Sequence, residues 1–232
     1  MLRPPLAFAH RGGRAHAPEN TLEAFRLALR LGATGLESDV WLTNDGMPVL
    51  HHDGRIRTRF RWRPIRTLPR SGLPSFVPAL EDLYAACGTA FALSLDVYDA
   101  AAARPIVEVA RAASGGAAEQ LWLCHGDWEL LASWRSWSDA HLVCSTKIRV
   151  MRDGPERRAA QLAAAGIDAV NLHHSDWTAG LAALFHRFER YALGWDAQHE
   201  RVLLALIRMG LDGVYSDHVD RMTDALRRSS ES

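Results

Sequence analysis

Short apolar runs rich in β-branched and aromatic residues alternate along this chain with longer segments whose apolar positions recur every three or four residues. The first pattern is that of strands buried on both faces, the second that of amphipathic helices. Strands are predicted at Leu6–His10, Gly35–Leu42, Phe91–Val97, Gln120–Cys124, Leu142–Ser145, Ala169–Leu172, Tyr191–Trp195 and Gly213–Ser216. Helices are predicted at Thr21–Leu31, Leu80–Cys87, Ala100–Ala113, Trp128–Trp137, Glu156–Ala165, Thr178–Phe188, Glu200–Met209 and Val219–Arg227. Eight of each in strict alternation predict a (β/α)8 TIM barrel, and 232 residues is close to the usual length of about 250. A doubly wound open sheet is the alternative; eight repeats and a chemically rich end to the first strand favour closure. Thr21 supplies an N-cap, and Gly32 and Gly210 follow helices as C-caps. No linker divides residues 1–232, so a single domain is expected.

One segment breaks the rhythm. Residues 54–78, after the second strand, carry Arg55, Arg57, Arg59, Arg61, Arg63, Arg66 and Arg70 and no acidic residue before Glu81. This reads as a basic insertion at the loop end of the barrel, where it would steer and clamp an anionic ligand or simply be a solvated loop. Phe60 and Trp62 among the arginines add contact with a membrane surface or nucleic acid as a lower-ranked reading.

Composition narrows the class further. The chain is 48% hydrophobic and 23% charged, which excludes a disordered, collagen-like or disulfide-stapled chain. Lys+Arg and Asp+Glu are both 27, so no overall field favours nucleic acid or an anionic membrane, and neither is an expected partner. Lys147 is the only lysine among those bases. No apolar run approaches a membrane span, so no stable membrane insertion is expected. The three cysteines form no CxxC, and the apolar stretch in MLRPPLAFAH is too short for a signal peptide; a cytoplasmic location is the expectation.

Barrel chemistry concentrates where strands end. Those positions hold His10 and Arg11, Glu37 and Asp39, His52 and Asp53, Asp96, then His125, Lys147, His173, Trp195 and Asp217. Glu37 and Asp39, two apart on a strand, share one face; Leu36 and Val40 on the other face belong against helices, so the carboxylates face the axis. Two inward carboxylates repel unless protons or a cation neutralise them, and an all-oxygen donor set suits a hard cation such as Mg²⁺ or Ca²⁺. A cation beside two histidines and an arginine fits phosphodiester cleavage, with imidazoles as acid and base and a planar guanidinium fork on phosphate. Each residue also has a plainer use. Glu37 and Asp39 would serve as ion-pair partners of Arg11, Asp96 as the cap of the helix near Ala100, and His51 as an outward-facing neighbour of His52.

Linear context separates these readings. His10-Arg11-Gly12, Pro18-Glu19-Asn20-Thr21, Glu37-Ser38-Asp39-Val40, the run from Thr43 to His52-Asp53, Pro78-Ala79-Leu80-Glu81 and the run from Met209 to Asp217 together resemble the glycerophosphodiester phosphodiesterase family. The resemblance implies a TIM barrel that hydrolyses small-molecule glycerophosphodiesters to glycerol 3-phosphate and an alcohol, with a divalent metal, Mg²⁺ or Ca²⁺. Carried over by position, it makes His10 and His52 the general acid/base pair, Arg11 a phosphate ligand and Glu37 and Asp39 metal ligands. Attack by a glycerol hydroxyl through a cyclic phosphate, or by water directly, both remain open.

The chain also departs from the family. Where the family has glutamate, a small apolar residue and lysine, this chain has Asp96-Val97-Tyr98. Asp96 remains a third metal ligand, one methylene shorter, but the lysine's charge is gone; Lys147 or an arginine of the insertion is expected to replace it. At the seventh strand Trp195-Asp196-Ala197-Gln198 departs too. Trp195 either walls the glycerol side of the substrate or belongs to the core, and Asp196 either favours a cationic head group or pairs with an arginine. Besides the phosphodiesterase, two functions stay in view: a lysophospholipase D-like or sphingomyelin-directed activity, and a catalytically degenerate barrel that binds phosphodiesters.

Overall fold

A parallel sheet leaves no unpaired edge only if its first and last strands meet. In the computed structural model, which describes residues 1–58, 61–113 and 115–230, they do. The barrel strands are β1 (Leu6–Ala9), β2 (Gly35–Leu42), β3 (Ala92–Val97), β4 (Leu121–His125), β5 (His141–Ser145), β6 (Ala169–His173), β7 (Tyr191–Trp195) and β8 (Gly213–Ser216). β1 pairs with β2 through Phe8↔Gly35 on one side and with β8 through Leu6↔Gly213 to Ala9↔Ser216 on the other. That closure overturns the open-sheet alternative. The helices are α1 (Leu22–Arg30), α2 (Leu80–Cys87), α3 (Ala103–Ala112), α4 (Trp128–Trp134), α5 (Gly154–Ala164), α6 (Ala179–Arg187), α7 (Glu200–Arg208) and α8 (Val219–Ser230).

Boundaries move where local chemistry intervenes. β1 stops at Ala9 because Arg11 turns left-handed, with φ 49°. The expected helix over 100–113 begins as a separate 3₁₀ turn at Ala100–Ala102, capped by Asp99 rather than by Asp96.

Alternate residues of each strand face opposite layers. Leu36, Val40, Leu93, Leu95 and Leu123 pack outward against the helices in the main core. Phe8, Ala92, Trp122, Val143, Ala169, Leu193 and Tyr215 point inward and fill the barrel. Phe8 stacks on Tyr215 at 4.6 Å and meets Trp122 edge-on at 6.0 Å. Gly35 makes room for it, since a Cβ there would lie 2.6 Å from the Phe8 ring. This apolar plug forms the floor on which the polar mouth rests.

The insertion is more than a loop. Pro48–Leu50 adds antiparallel to β2, and Arg55–Arg57 pairs with Trp62–Pro64 in a small hairpin. Val49, Ile56, Ile65, Leu68, Leu73, Val77 and Ala79 give this lobe its own buried core, with Trp41 packed against it. Arg70 is not free, as its guanidinium donates to Asp82 at 3.2 Å. Arg55, Arg57, Arg61 and Arg66 are exposed and, among the described residues, have no acidic partner. Arg59 and Phe60 lie outside the described residues.

Truncating the plug should therefore be costly. Phe8→Ala is expected to lower the unfolding free energy by about 3–5 kcal/mol, whereas Trp62→Ala on the exposed hairpin should stay within about 0.5 kcal/mol. Urea titration of both variants checks the contrast.

Candidate active site

The pairing of β2 with β3 brings three carboxylates together. Asp39 is the register partner of Asp96, and Glu37 lies two residues earlier on the same inward face. Oxygens of the three all lie within 4.8 Å of one another. Glu37 and Asp39 are buried, so little water screens their repulsion. Burial, then the charges of Asp39 and Asp96, push the Glu37 carboxyl well above the usual range. Burial, then Asp39, push Asp96 up to about 7.

Neutral donors offset part of this charge. The Arg11 backbone N–H donates to Glu37 Oε2 at 2.8 Å. Asn20 donates its amide to Asp39 at 3.3 Å while accepting from Ser38 at 2.7 Å. The Tyr98 hydroxyl donates to Asp39 at 3.3 Å, its ring stacked on Trp41 at 5.2 Å. The Arg11 guanidinium is shared, donating to Glu19 at 3.0 Å with its Nε 3.4 Å from Asp39. The ion-pair use and the ligand-like clustering thus coexist. Buried Arg11 Nε and Asn171 Oδ1 have no hydrogen-bond partner, and both residues line the same cavity of about 410 Å³. Three clustered carboxylates and an orphaned amide oxygen are a donor set that could hold a hard divalent cation.

Backbone strain concentrates here. Among the described residues, four non-glycines have left-handed backbone, and three of them, Arg11, Asn20 and Asp196, belong to this site. The left-handed turn of Arg11 lets its N–H meet Glu37. Gly12 then continues the turn at φ 79°, where a Cβ would fall 2.8 Å from Ala24.

His10 lines the cavity beside the carboxylates. Its Nδ1 lies 2.6 Å from Asp217 Oδ1, and its Nε2 is 3.8 Å from Glu37 Oε2. Asp217 also accepts from Arg14 at 2.8 Å. Burial alone would raise Asp217, but its hydrogen bonds with His10 and Arg14 outweigh that and hold it at about 2. Asp217 was visible only as a strand-end carboxylate; its partnership with His10 depends on barrel closure.

The remaining candidates sit around this centre. His52, bonded to Asp53 at 2.7 Å, opens on an adjoining cavity of about 250 Å³ with His51, Glu19, Asn20 and Phe76. The two cavities share a wall, because Glu19 holds Arg11 and Asn20 holds Asp39. His51 is not turned fully outward: it is half-buried, accepts the Asp53 N–H at 3.2 Å, and burial pushes its pKa down. Lys147 is exposed on a third cavity, with His173 and Asp176, and meets the central one only through Trp195, which lines both. Trp195 therefore serves both readings, packing on the barrel interior and walling the mouth. Asp196 pairs with His173 at 3.2 Å rather than with an arginine. A larger cavity of about 660 Å³ lies at the opposite end of the barrel, lined by residues such as Pro4, Thr34 and Leu211. Among the described residues it holds no carboxylate or imidazole, so volume is a poor guide to chemistry here.

Comparison with known proteins agrees with this geometry. The model of the Glycerophosphoryl diester phosphodiesterase family matches residues 10–81. Glycerophosphodiester phosphodiesterase 1 of Rattus norvegicus is 58% identical over 50 residues, a stretch spanning 22% of this chain and 15% of the rat protein. The "Probable glycerophosphodiester phosphodiesterase 2" of Mycobacterium tuberculosis is 28% identical over 95% of this chain and 90% of its own length. An Oleispira antarctica phosphodiesterase, solved in complex with the product sn-glycerol-3-phosphate, shares the fold with a TM-score of 0.74 at 23% identity, over 96% of this chain and 97% of that one. No helix among the described residues is long and apolar enough to cross a membrane.

The raised carboxyls predict a pH signature. Folding lifts Asp96 from 3.8 to about 7, so between those values the metal-free folded chain retains a proton that the unfolded chain has released. This contribution to stability is therefore lost as pH rises through that window. The chelator-treated protein should melt at falling temperature from pH 5 to pH 8, more steeply than Asp96→Asn, and saturating Mg²⁺ or Ca²⁺ should remove the difference. Parallel thermal scans check it; equal slopes for both proteins would contradict the assignment.

Proposed function

We propose, from the premise that the chain belongs to the glycerophosphoryl diester phosphodiesterase family, that it hydrolyses glycerophosphodiesters to glycerol 3-phosphate and an alcohol. The observation that carries this reading is the clustered carboxylate trio beside a histidine braced by its own aspartate. Glu37, Asp39 and Asp96 would hold Mg²⁺ or Ca²⁺, whose Lewis-acid charge would face the non-bridging oxygens of the phosphate. His10 is the proton carrier. With Nδ1–H directed at Asp217, its Nε2 presents a lone pair to the cavity, and the imidazolium formed on proton uptake is stabilised by the same carboxylate. Arg11 contributes guanidinium N–H groups to the phosphate, with Glu19 steadying the fork. His52, across the shared wall, would exchange a proton with the leaving alcohol. Trp195 bounds the glycerol side, and Lys147 at its far edge adds positive charge toward the anionic substrate.

One observation favours a lipid phosphodiester as a second substrate class. Phe76 is 57% exposed and lines the His52 cavity, where an acyl chain would cover it.

Glycerol 3-phosphate release should appear with glycerophosphocholine or glycerophosphoethanolamine, vanish with chelator and return with Mg²⁺ or Ca²⁺. His10→Ala should lose at least about 10²-fold in kcat, and Asp217→Asn should lower kcat by roughly tenfold or more with little change in KM. Lys147→Ala should raise KM and leave kcat near wild type. Release of head group from lysophosphatidylcholine but not from the glycerol diesters would transfer the assignment to the lipid reading. No release from either class would leave a binding barrel.

A further inference from the structure

Outside the carboxylate trio, the described residues contain two clusters that combine imidazoles with a carboxylate: His173, His174 and Asp196, and His16, His218 and Asp220. The first is engaged in its own hydrogen bonds. The Ser175 N–H donates to Nδ1 of His173 at 3.2 Å, so this ring carries its proton on Nε2, facing Asp196 at 3.2 Å. A metal at Nε2 would have to displace that arrangement. In the second cluster His16 Nε2 also faces a carboxylate, but no donor fixes the tautomer from Nδ1. We propose that His16, His218 and Asp220 form a separate binding site for a borderline transition-metal cation such as Zn²⁺.

Backbone contacts, not chance side-chain excursions, bring these residues together. The Ala15 N–H donates to the Asp217 carbonyl at 3.3 Å, which sets the next residues, His16 and His218, side by side. His16 is fixed further by its N–H to Gly13 at 2.9 Å, and His218 by accepting the Met222 N–H at 3.1 Å in the first turn of α8. The two rings stand at 88° with centroids 6.3 Å apart, and His16 Nε2 lies 3.1 Å from Asp220 Oδ1. All three donor atoms fall within 4.8 Å of one another. Zinc bonds of about 2.0–2.2 Å in a tetrahedral shell require donors somewhat over 3 Å apart. Small rotations of partly exposed side chains reach that spacing.

The donors are also available. Among the described residues, neither ring nitrogen of His218 nor Nδ1 of His16 has a hydrogen-bond partner, so Nε2 of His16 can give up its proton with Nδ1 taking it. The neighbouring Arg221 is drawn away, donating to the Gln198 carbonyl at 3.1 Å. Two imidazoles and one carboxylate select Zn²⁺, Co²⁺ or Ni²⁺, whereas the all-oxygen trio in the barrel selects Mg²⁺ or Ca²⁺. A cation here would fasten the loop bearing Arg11, Glu19 and Asn20 to the start of α8, beside the aspartate that holds His10.

The test is calorimetric titration of ZnCl₂ into the chelator-treated full chain with millimolar Mg²⁺ present, repeated in Glu37→Gln to remove the central site, with a thermal scan alongside. The expected result is one Zn²⁺ per chain, unchanged by Glu37→Gln, with a raised melting temperature. His16→Ala and His218→Ala should each weaken binding at least about tenfold, and Asp220→Asn does the same duty should either histidine variant fail to fold. Absence of Zn²⁺ uptake in the presence of Mg²⁺, or uptake indifferent to these substitutions, would overturn the site. Because no substrate enters the measurement, the outcome is independent of whether the chain proves to be a phosphodiesterase.

Discussion

Repulsion among three clustered carboxylates, two of them buried, is the constraint around which the barrel mouth is organised. It follows directly from strand register: once β2 lies parallel to β3 with Asp39 opposite Asp96, and Glu37 shares the inward face, the charges cannot avoid one another. Separate surface aspartates would be indifferent to such spacing, but Glu37 and Asp39 are removed from water. The chain does not insert a lysine among them. It supplies dipoles, from a backbone N–H, an asparagine amide and a phenol, beside the shared guanidinium of Arg11. Those partners need awkward backbone, and left-handed residues at Arg11 and Asn20 cost of the order of 1–3 kcal/mol each. Such strain persists only where surrounding packing enforces it, which is what the apolar plug beneath and α1 behind Gly12 accomplish.

Tyr98 shows how one departure from the family pattern alters this balance. A lysine would place a mobile cation at the edge of the cluster. Tyrosine places a neutral donor there, fixed by stacking on Trp41. Burial and the nearby carboxylates raise the Tyr98 phenol above its ordinary range, so it remains a hydroxyl and keeps donating to Asp39. The consequence is a corner more negative and more rigid than one with lysine. Under the proposed function, that would favour a bound cation and leave the attraction of an anionic substrate to Arg11 and to charges farther out.

What the sequence revealed, and what it hid, divides along physical lines. Barrel strands buried on both faces stand out as apolar runs, and period-two spacing was enough to turn Glu37 and Asp39 toward the axis. The hairpin at Arg55–Arg57 and Trp62–Pro64 was hidden because, among its described residues, only Ile56 has a buried side chain on the two strands. Its lobe is held by residues such as Val49, Leu68 and Val77, scattered along the sequence without a period. The antiparallel strand at Pro48–Leu50 was hidden for a related reason, being too short to alternate, and it is this strand that delivers His52 to the neighbouring cavity. Lys147 could be assigned to a strand end but not to a distance, because the loop after β5 decides where its side chain goes.

The pairing of His10 with Asp217 is the deepest case of such concealment. The two residues are 207 positions apart, and nothing local to either suggests the other. Yet the register of β1 on β8 opposes Ala9 to Ser216, so the next residue on each strand must emerge at the same point of the rim. Barrel closure and the orientation of the His10 imidazole are therefore one structural event. A chain that formed seven strands correctly and failed to dock the eighth would keep the strand register that gathers its carboxylate trio, which β2 and β3 set. It would lose the partner that fixes the imidazole, and the fold and the chemistry would fail together at that seam.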